Sequence, residues 1–248
     1  MIELKNISKS FGDNHVLKDV SSFFEKGKTN LIIGQSGSGK TVLLKSIIGL
    51  HDIDEGEIFY GDQEFSKMPV KEKKEIRKEL GMVFQGGALF DSATVEENVG
   101  FPLEMFTEMS TEERLERVNF CLTKVNLVNA NHLYPAEISG GMQKRVAIAR
   151  AISLNPKYLF CDEPNSGLDP RTAIVIDQLI RELTVEFDMT TVINTHDMNS
   201  VIEIGDKILY IYKGEKWWEG NKDEILKTDN KELNEFVFAS DLMRKFRD

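Results

Sequence analysis

Residues 29–50 read TNLIIGQSGSGKTVLLKSIIGL, and the octet at 34–41, GQSGSGKT, decides the fold. Leu31, Ile32 and Ile33 make a short apolar run of strand character, and Val42, Leu43, Leu44, Ile47 and Ile48 follow at helical spacing. Strand, glycine-rich turn and helix, in that order, are the context a GxxxxGK[ST] phosphate loop requires. Gly34, Gly37 and Gly39 let the backbone curl with its N–H groups turned inward, and the helix N-terminus completes an anion site. Lys40 is a point charge for the β- and γ-phosphates, and the Thr41 hydroxyl is a hard oxygen ligand for Mg²⁺. The octet by itself implies an α/β protein that holds a nucleoside triphosphate. Kinases, GTPases and motors all carry such a loop.

Two later stretches suit the same chemistry. Residues 157–170, KYLFCDEPNSGLDP, run as a short apolar strand from Tyr158 to Cys161 and end in Asp162-Glu163. Ligands in open α/β sheets sit at the carboxyl ends of strands. Asp162 fits a Mg²⁺ holder there, and Glu163 a general base for an attacking water. Without the phosphate loop the pair reads equally well as an acidic turn. Residues 190–196, TTVINTH, end another β-rich run in His196. A lone histidine is more often an ordinary surface or core residue, but this one would emerge on the same edge as Glu163, where a γ-phosphate sensor belongs. Residues 134–154, YPAEISGGMQKRVAIARAISL, place Ser139-Gly140-Gly141 at the start of a helix that stops at Asn155-Pro156, which makes a second anion site in one chain.

The composition limits the alternatives. A chain of 248 residues suffices for one large domain or two lobes with a sizeable core. The net charge of −10 is opposite in sign to that of a protein that wraps nucleic acid, so no nucleic-acid partner is expected. Cys121 and Cys161 suggest no disulfide framework, and the N-terminus MIELKNISKSF has no apolar h-region, so a reducing cytoplasm is expected. No window approaches 18 consecutive apolar residues, so any membrane role must come through a partner. The charge run at 71–79 reads as a solvated helix face.

Taken together, GQSGSGKT, ISGGMQKR, CDEPNSGLDP and His196, in this order and spacing, resemble the nucleotide-binding subunit of an ATP-binding cassette (ABC) transporter over nearly the whole chain. The resemblance implies a P-loop NTPase with a RecA-like core, an antiparallel β subdomain and an inserted helical subdomain. It divides the chain into core and β subdomain at 1–91 and 155–220, helical subdomain at 92–154, and a helical tail at 221–248. It implies ATP and Mg²⁺ as cofactors, with Gly34, Gln35, Ser36, Gly37, Ser38, Gly39, Lys40, Thr41 and Val42 around the nucleotide, and Thr41, Gln85 and Asp162 at the metal. It implies a head-to-tail homodimer in which Ser139, Gly140 and Gly141 of one subunit reach the γ-phosphate held by the other. Asp169 would lie in the loop crossing the dimer axis; Asp169-Pro170 is also a good N-cap and N1 pair. Phe11 matches the family's adenine-stacking aromatic, or is an ordinary strand aromatic, and Val16 would line the same face. The family's LSGGQ is altered here to Ile138 and Met142 at its ends, which puts a ribose contact in doubt, and Asn165 stands where threonine is frequent, a replacement expected to leave the chemistry alone.

The same resemblance makes Gln85 catalytic and metal-contacting, its loop the hinge of the helical subdomain, and the outer face of that subdomain the seat of an integral membrane permease. Within the family, residues 83–103, VFQGGALFDSATVEENVGFPL, resemble the ATPases of MCE/Mla-type phospholipid transport systems through Gly87-Ala88-Leu89-Phe90 and Val95, Asn98, Val99, Phe101, Pro102 and Leu103. That implies an MCE-type lipid-binding subunit in the assembly and a place on the cytoplasmic face of the inner membrane. An importer ATPase for amino acids or other small solutes is the competing reading. A soluble non-transport cassette ATPase fits less well, because the 99 positions from 40 to 139 leave no room for long coiled coils. A purely regulatory module is disfavoured by Glu163 and His196 together.

Local signals complete the reading. Ser110 and Glu113 form a capping box ahead of a stripe of Leu115, Val118, Leu122 and Val125. YIYKGEKWWEG at 210–220 reads as a hairpin turning at Gly214, with Trp217 and Trp218 on opposite faces and one of them in the core. Leu233, Phe236, Val237, Leu242, Met243 and Phe246 could line a tail helix that folds back on its own domain or reaches the second subunit.

Overall fold

A computed structural model describes residues 1–239. Two sheets share the chain. The first is antiparallel, in the order β2-β1-β4-β5, from β1 (Ile2–Phe11), β2 (Asn14–Phe24), β4 (Glu55–Tyr60) and β5 (Gln63–Glu64). The second runs β10-β9-β3-β8-β7-β6, from β3 (Thr29–Ile33), β6 (Leu80–Val83), β7 (Tyr158–Asp162), β8 (Thr190–Asn194), β9 (Lys207–Tyr212) and β10 (Glu215–Gly220). Its strands are parallel except β10, which returns from β9 through a turn at Lys213-Gly214 with positive φ at both residues, as a tight hairpin requires.

The helices are α1 (Lys40–Ile47), α2 (Val70–Lys78), α3 (Val95–Phe106), α4 (Thr111–Lys124), α5 (Gly140–Ile152), α6 (Pro170–Glu186), α7 (Met198–Ile204), α8 (Lys222–Ile225) and α9 (Lys231–Val237). The parallel strands bury both faces, so β3, β7 and β8 are buried at every position without alternation, their threonines and asparagines included. The two-residue period shows instead in which core each residue joins. Leu31, Ile33, Leu159, Cys161, Ile208 and Tyr210 face the core made with α3–α7 and the C-terminal helices. Ile32, Phe160, Val192, Leu209 and Ile211 face a second core, where Leu43, Leu44 and Ile47 of α1 meet Ile2, Leu4, Ile7 and Phe24 of the antiparallel sheet.

The local expectations meet mixed outcomes. Ser110 and Glu113 do form a capping box, and so do Thr94 and Glu97 at α3. In the α4 stripe Val118, Leu122 and Val125 are buried, whereas Leu115 is exposed and Cys121 is buried in the core instead. Trp218 packs on the core, and Trp217 stays exposed with its indole N–H donating to Glu232. Leu233, Phe236 and Val237 of α9 fold back onto this domain; Leu242, Met243 and Phe246 lie outside the described residues. On α2 only Ile76 is buried, so the charge run is a solvated face.

Candidate active site

The carboxyl ends of β3, β7, β8 and β6 open onto one edge, and each leads directly into a residue singled out by its chemistry. β3 enters the loop at Gly34. There a Cβ would meet the Ile211 carbonyl at 2.3 Å, so only glycine lets the loop lie so close to β9. At Gly39 φ is +107°, and the helix α1 that starts beyond it has no side-chain cap and no acid in its first turn. Such an N-terminus presents free N–H groups and a positive dipole end. Lys40 is buried and spans the loop, donating to the Gly34 and Gln35 carbonyls at 2.9 and 3.0 Å. Burial depresses its pKa, while Glu163 and Asp162 act to raise it.

Asp162, at the end of β7, accepts from the Thr41 hydroxyl at 3.4 Å and from the Asn194 amide at 3.1 Å. Glu163 follows with φ +47°, a left-handed conformation that costs a side-chain-bearing residue about 1–3 kcal/mol. That turn aims its carboxylate out of the strand. One carboxylate oxygen accepts from Gln85 Nε2 at 3.1 Å, and the other lies 2.9 Å from His196 Nδ1. Residues from three strand ends, 33 and 78 positions apart in sequence, thus share one carboxylate.

A cavity of about 1050 Å³ opens over these groups, lined by Val16, Gln35–Gly37, Gly39–Val42, Gln85, Glu163 and His196 among others. That is a volume suited to a nucleotide-sized ligand. Asn165, which belongs to the CDEPNSGLDP motif, also borders it, as do Thr195, Met198 and Phe236, which the sequence had not placed at the site. Phe11 is not among the lining residues: its ring stands edge-on to His51 at 5.3 Å, with the Lys9 ammonium 5.4 Å from it. A triphosphate fits the uncapped helix end and the buried Lys40. The oxygen set of Thr41, Asp162 and Gln85 fits a hard divalent cation such as Mg²⁺. Ser38 Oγ and Asn194 Oδ1, both buried here, have no hydrogen-bond partner among the described residues.

The second anion site is elsewhere. Ser139 caps α5 through Met142 N, and Ser139 and Gly140 are exposed. Gly140, Gln143 and Lys144 border a separate depression, which meets the cavity only at Gln85 and Ser166. Gly141 sits where a Cβ would strike Thr172 at 2.8 Å. Thr172 is in turn bonded to Asp169, which caps α6 through Arg171 N and Thr172 N as expected. The Ser-Gly-Gly turn and Asp169 therefore form one exposed surface that does not close over the phosphate loop of the same chain.

Asn165 is more than a neutral replacement. It is buried, and its amide donates to both oxygens of Asp177 at 3.3 and 3.1 Å and to Ser200 at 2.9 Å. This ties the segment after Glu163 to α6 and to the helix after His196. Asn194 and Asn165 were not legible as parts of the site; a polar residue closing a buried strand, as in TTVIN, was the available signal.

Residues 17–166 match the family described as ABC transporter. The chain is 40% identical to the methionine import ATP-binding protein MetN of Campylobacter jejuni, over 98% of this chain and 77% of that protein. It is 36% identical to the probable ribonucleotide transport ATP-binding protein mkl of Mycobacterium leprae, over 95% of this chain and 68% of that one. Among solved structures it superposes on the dimeric post-hydrolysis state of the ATP-binding cassette MJ0796 bound to ADP and Pi, with a TM-score of 0.80 and 36% identity, over 90% of this chain and 99% of that one. It also superposes on cbiO1 from Clostridium perfringens, part of the ABC transporter complex cbiONQ, with a TM-score of 0.85 and 27% identity, over 99% and 96%.

Proposed function

The chain belongs to the ABC transporter family, and from that premise we propose how its residues divide the work of ATP hydrolysis. It is an ATPase subunit of an ABC transporter that uses ATP and Mg²⁺, and domains of this family dimerise and pair with membrane permease subunits. Among the described residues no helix is long and apolar enough to cross a membrane, which agrees with peripheral association.

Lys40 exchanges the Gly34 and Gln35 carbonyls for the β- and γ-phosphates. Thr41, Asp162 and Gln85 would hold Mg²⁺, which when bound would supply charge neutralisation at the phosphate oxygens. Glu163 takes a proton from the water whose oxygen attacks the γ-phosphorus; the bond to the β–γ bridging oxygen breaks, leaving ADP and phosphate. His196 orients Glu163 and stabilises charge at the γ-phosphate. The observation that carries this reading is the Glu163 carboxylate held between Gln85 and His196 at the mouth of the phosphate loop. Ser139, Gly140 and Gly141 complete the site of a second copy, and residues 92–154 form the subdomain that a permease engages. Glu163→Gln should keep ATP binding, accumulate an ATP-bound dimer in size-exclusion chromatography and lower turnover at least about a hundredfold. Turnover at the wild-type rate would remove Glu163 from this role.

For the cargo, the reading we favour is phospholipid, with an MCE-type lipid-binding subunit in the assembly on the cytoplasmic face. Support comes from the stretch 83–103. Within it Val95, Asn98, Val99 and Leu103 are buried, while Phe90 and Phe101 are exposed and pair edge-on at 4.8 Å, open to a partner. Amino-acid import is the second reading, favoured by the likeness to the methionine import protein. The chain purified with its membrane partner separates them: stimulation of ATPase activity by phospholipid supports the first, stimulation by methionine the second.

A further inference from the structure

The loop after β6 is built from main-chain acceptors that helices reach for. From α5, the buried Lys144 donates to the Gln85 carbonyl, and Arg150 donates to the Gly87 carbonyl at 2.7 Å and the Ala88 carbonyl at 2.8 Å. From α3, the fully buried Asn98 donates to the carbonyls of Phe90, Ala93 and Thr94 at 2.9–3.1 Å and accepts from Phe90 N at 2.8 Å. Gly87, with φ +75°, turns the loop beside α5, close enough that a Cβ there would be in van der Waals contact with Ala147 at 3.7 Å. Residues 85–94 are thus fastened at six carbonyls to α3 and α5, which pack on each other and on α4. A segment so fastened travels with those helices as one body.

Gln85 is the exception, because it is held from both sides. Its carbonyl belongs to α5 through Lys144, while its side chain belongs to the core through Glu163. Among the described residues Lys144 forms no ion pair; its hydrogen bond goes to one peptide oxygen, and the Glu163 carboxylate acts on the ammonium only from a longer range. Burying a cation is costly, and a carbonyl offsets less of that cost than a carboxylate, so packing alone would favour an apolar residue here. The turn of α5 that carries Lys144 begins at Ser139, five residues earlier.

We propose that Lys144 is a positioning residue that couples the Ser139 end of α5 to Gln85, and through it to Glu163, so that the joint between core and helices is Gln85 itself rather than the loop. A displacement of α5 at its exposed N-terminal end pulls the Gln85 peptide and changes the carboxamide's hold on Glu163. The route is two hydrogen bonds long and needs no part of the loop beyond Gln85. This rests on the proposed role of Gln85 at the active site.

A double-mutant cycle on the full chain tests it, with kcat and KM for ATP measured for Lys144→Met, Gln85→Ala and the pair. Lys144→Met should lower kcat about tenfold with KM for ATP changed less than twofold, and Lys144→Arg should restore most of it. The double variant should be no slower than Gln85→Ala alone, because Lys144 acts through Gln85. Multiplying effects, or wild-type kcat in Lys144→Met, would overturn the coupling while leaving Gln85 in its role. Wild-type kcat in Gln85→Ala would overturn the role of Gln85 and the coupling with it. If Lys144→Met does not fold, amide exchange in the unaltered protein decides: Phe90 N–H should exchange as slowly as the amides of α5, and fast exchange there contradicts a fastened loop.

Discussion

Asp177 is a carboxyl group inside the protein, 3% exposed, on the buried side of α6. Desolvation pushes its pKa up to about 6. The Ser200 and Asn165 hydrogen bonds pull it down, and the nearby carboxylates of Asp197 and Glu203 push it further up. The fold therefore keeps a proton that the unfolded chain releases near pH 4, and stability falls as pH rises from about 4 to about 6 and is level above that. The whole effect is about 3 kcal/mol at most. Asp177→Asn retains an acceptor for the Asn165 amide without the charge. Its stability relative to the parent should be about 1–3 kcal/mol more favourable at pH 7.5 than at pH 4 in urea denaturation. An equal difference at both values would mean that Asp177 does not titrate in this way. Nothing in VIDQLIREL marks Asp177 as buried, because an acid on a helix is ordinarily solvated. Its role needs Asn165 and Ser200, 12 positions before it and 23 after, brought to the same place.

At the scale of elements, the ends of helices were the most legible features, because caps act within four residues. The Ser110–Glu113 box and the Asp169 cap lie where the sequence places them. The internal order of the loop 85–94 was not legible, since the side chains that fasten it come from α3 and α5, up to 63 positions away. Leu89 packs on the core, while Phe90 remains exposed against Phe101 and beside Arg150. Asn98 is the element's anchor. Removing its side chain in Asn98→Ala leaves the Ala93 carbonyl and the Phe90 N–H without that partner, while the Phe90 and Thr94 carbonyls keep a backbone one, so a loss of about 1–3 kcal/mol is expected. Urea denaturation measures it, and a loss under about 0.5 kcal/mol would show that the loop does not depend on Asn98.

For the whole molecule the decisive feature is that the phosphate loop and the Ser-Gly-Gly turn face different surfaces of one chain. If each site is completed by a second copy, Lys40→Ala and Ser139→Arg chains, inactive separately, should regain up to about a quarter of wild-type activity when mixed in equal amounts. In the mixed dimer one site pairs an intact phosphate loop with an intact turn, and half of the dimers are mixed. No recovery on mixing would mean that each chain completes its own site. By itself the sequence determined the α/β class, the phosphate loop, the Asp162-Glu163 pair and the local caps. These depend on residue type over a few positions, and backbone geometry there leaves few choices. Only the tertiary structure decided that Gln85, Glu163 and His196 share one carboxylate, that Phe11 stands against His51 outside the cavity, and that Lys144 and Asn165 tie distant segments to the site. Those pairings follow from strand order and helix packing, which bring together side chains with no shared local signal.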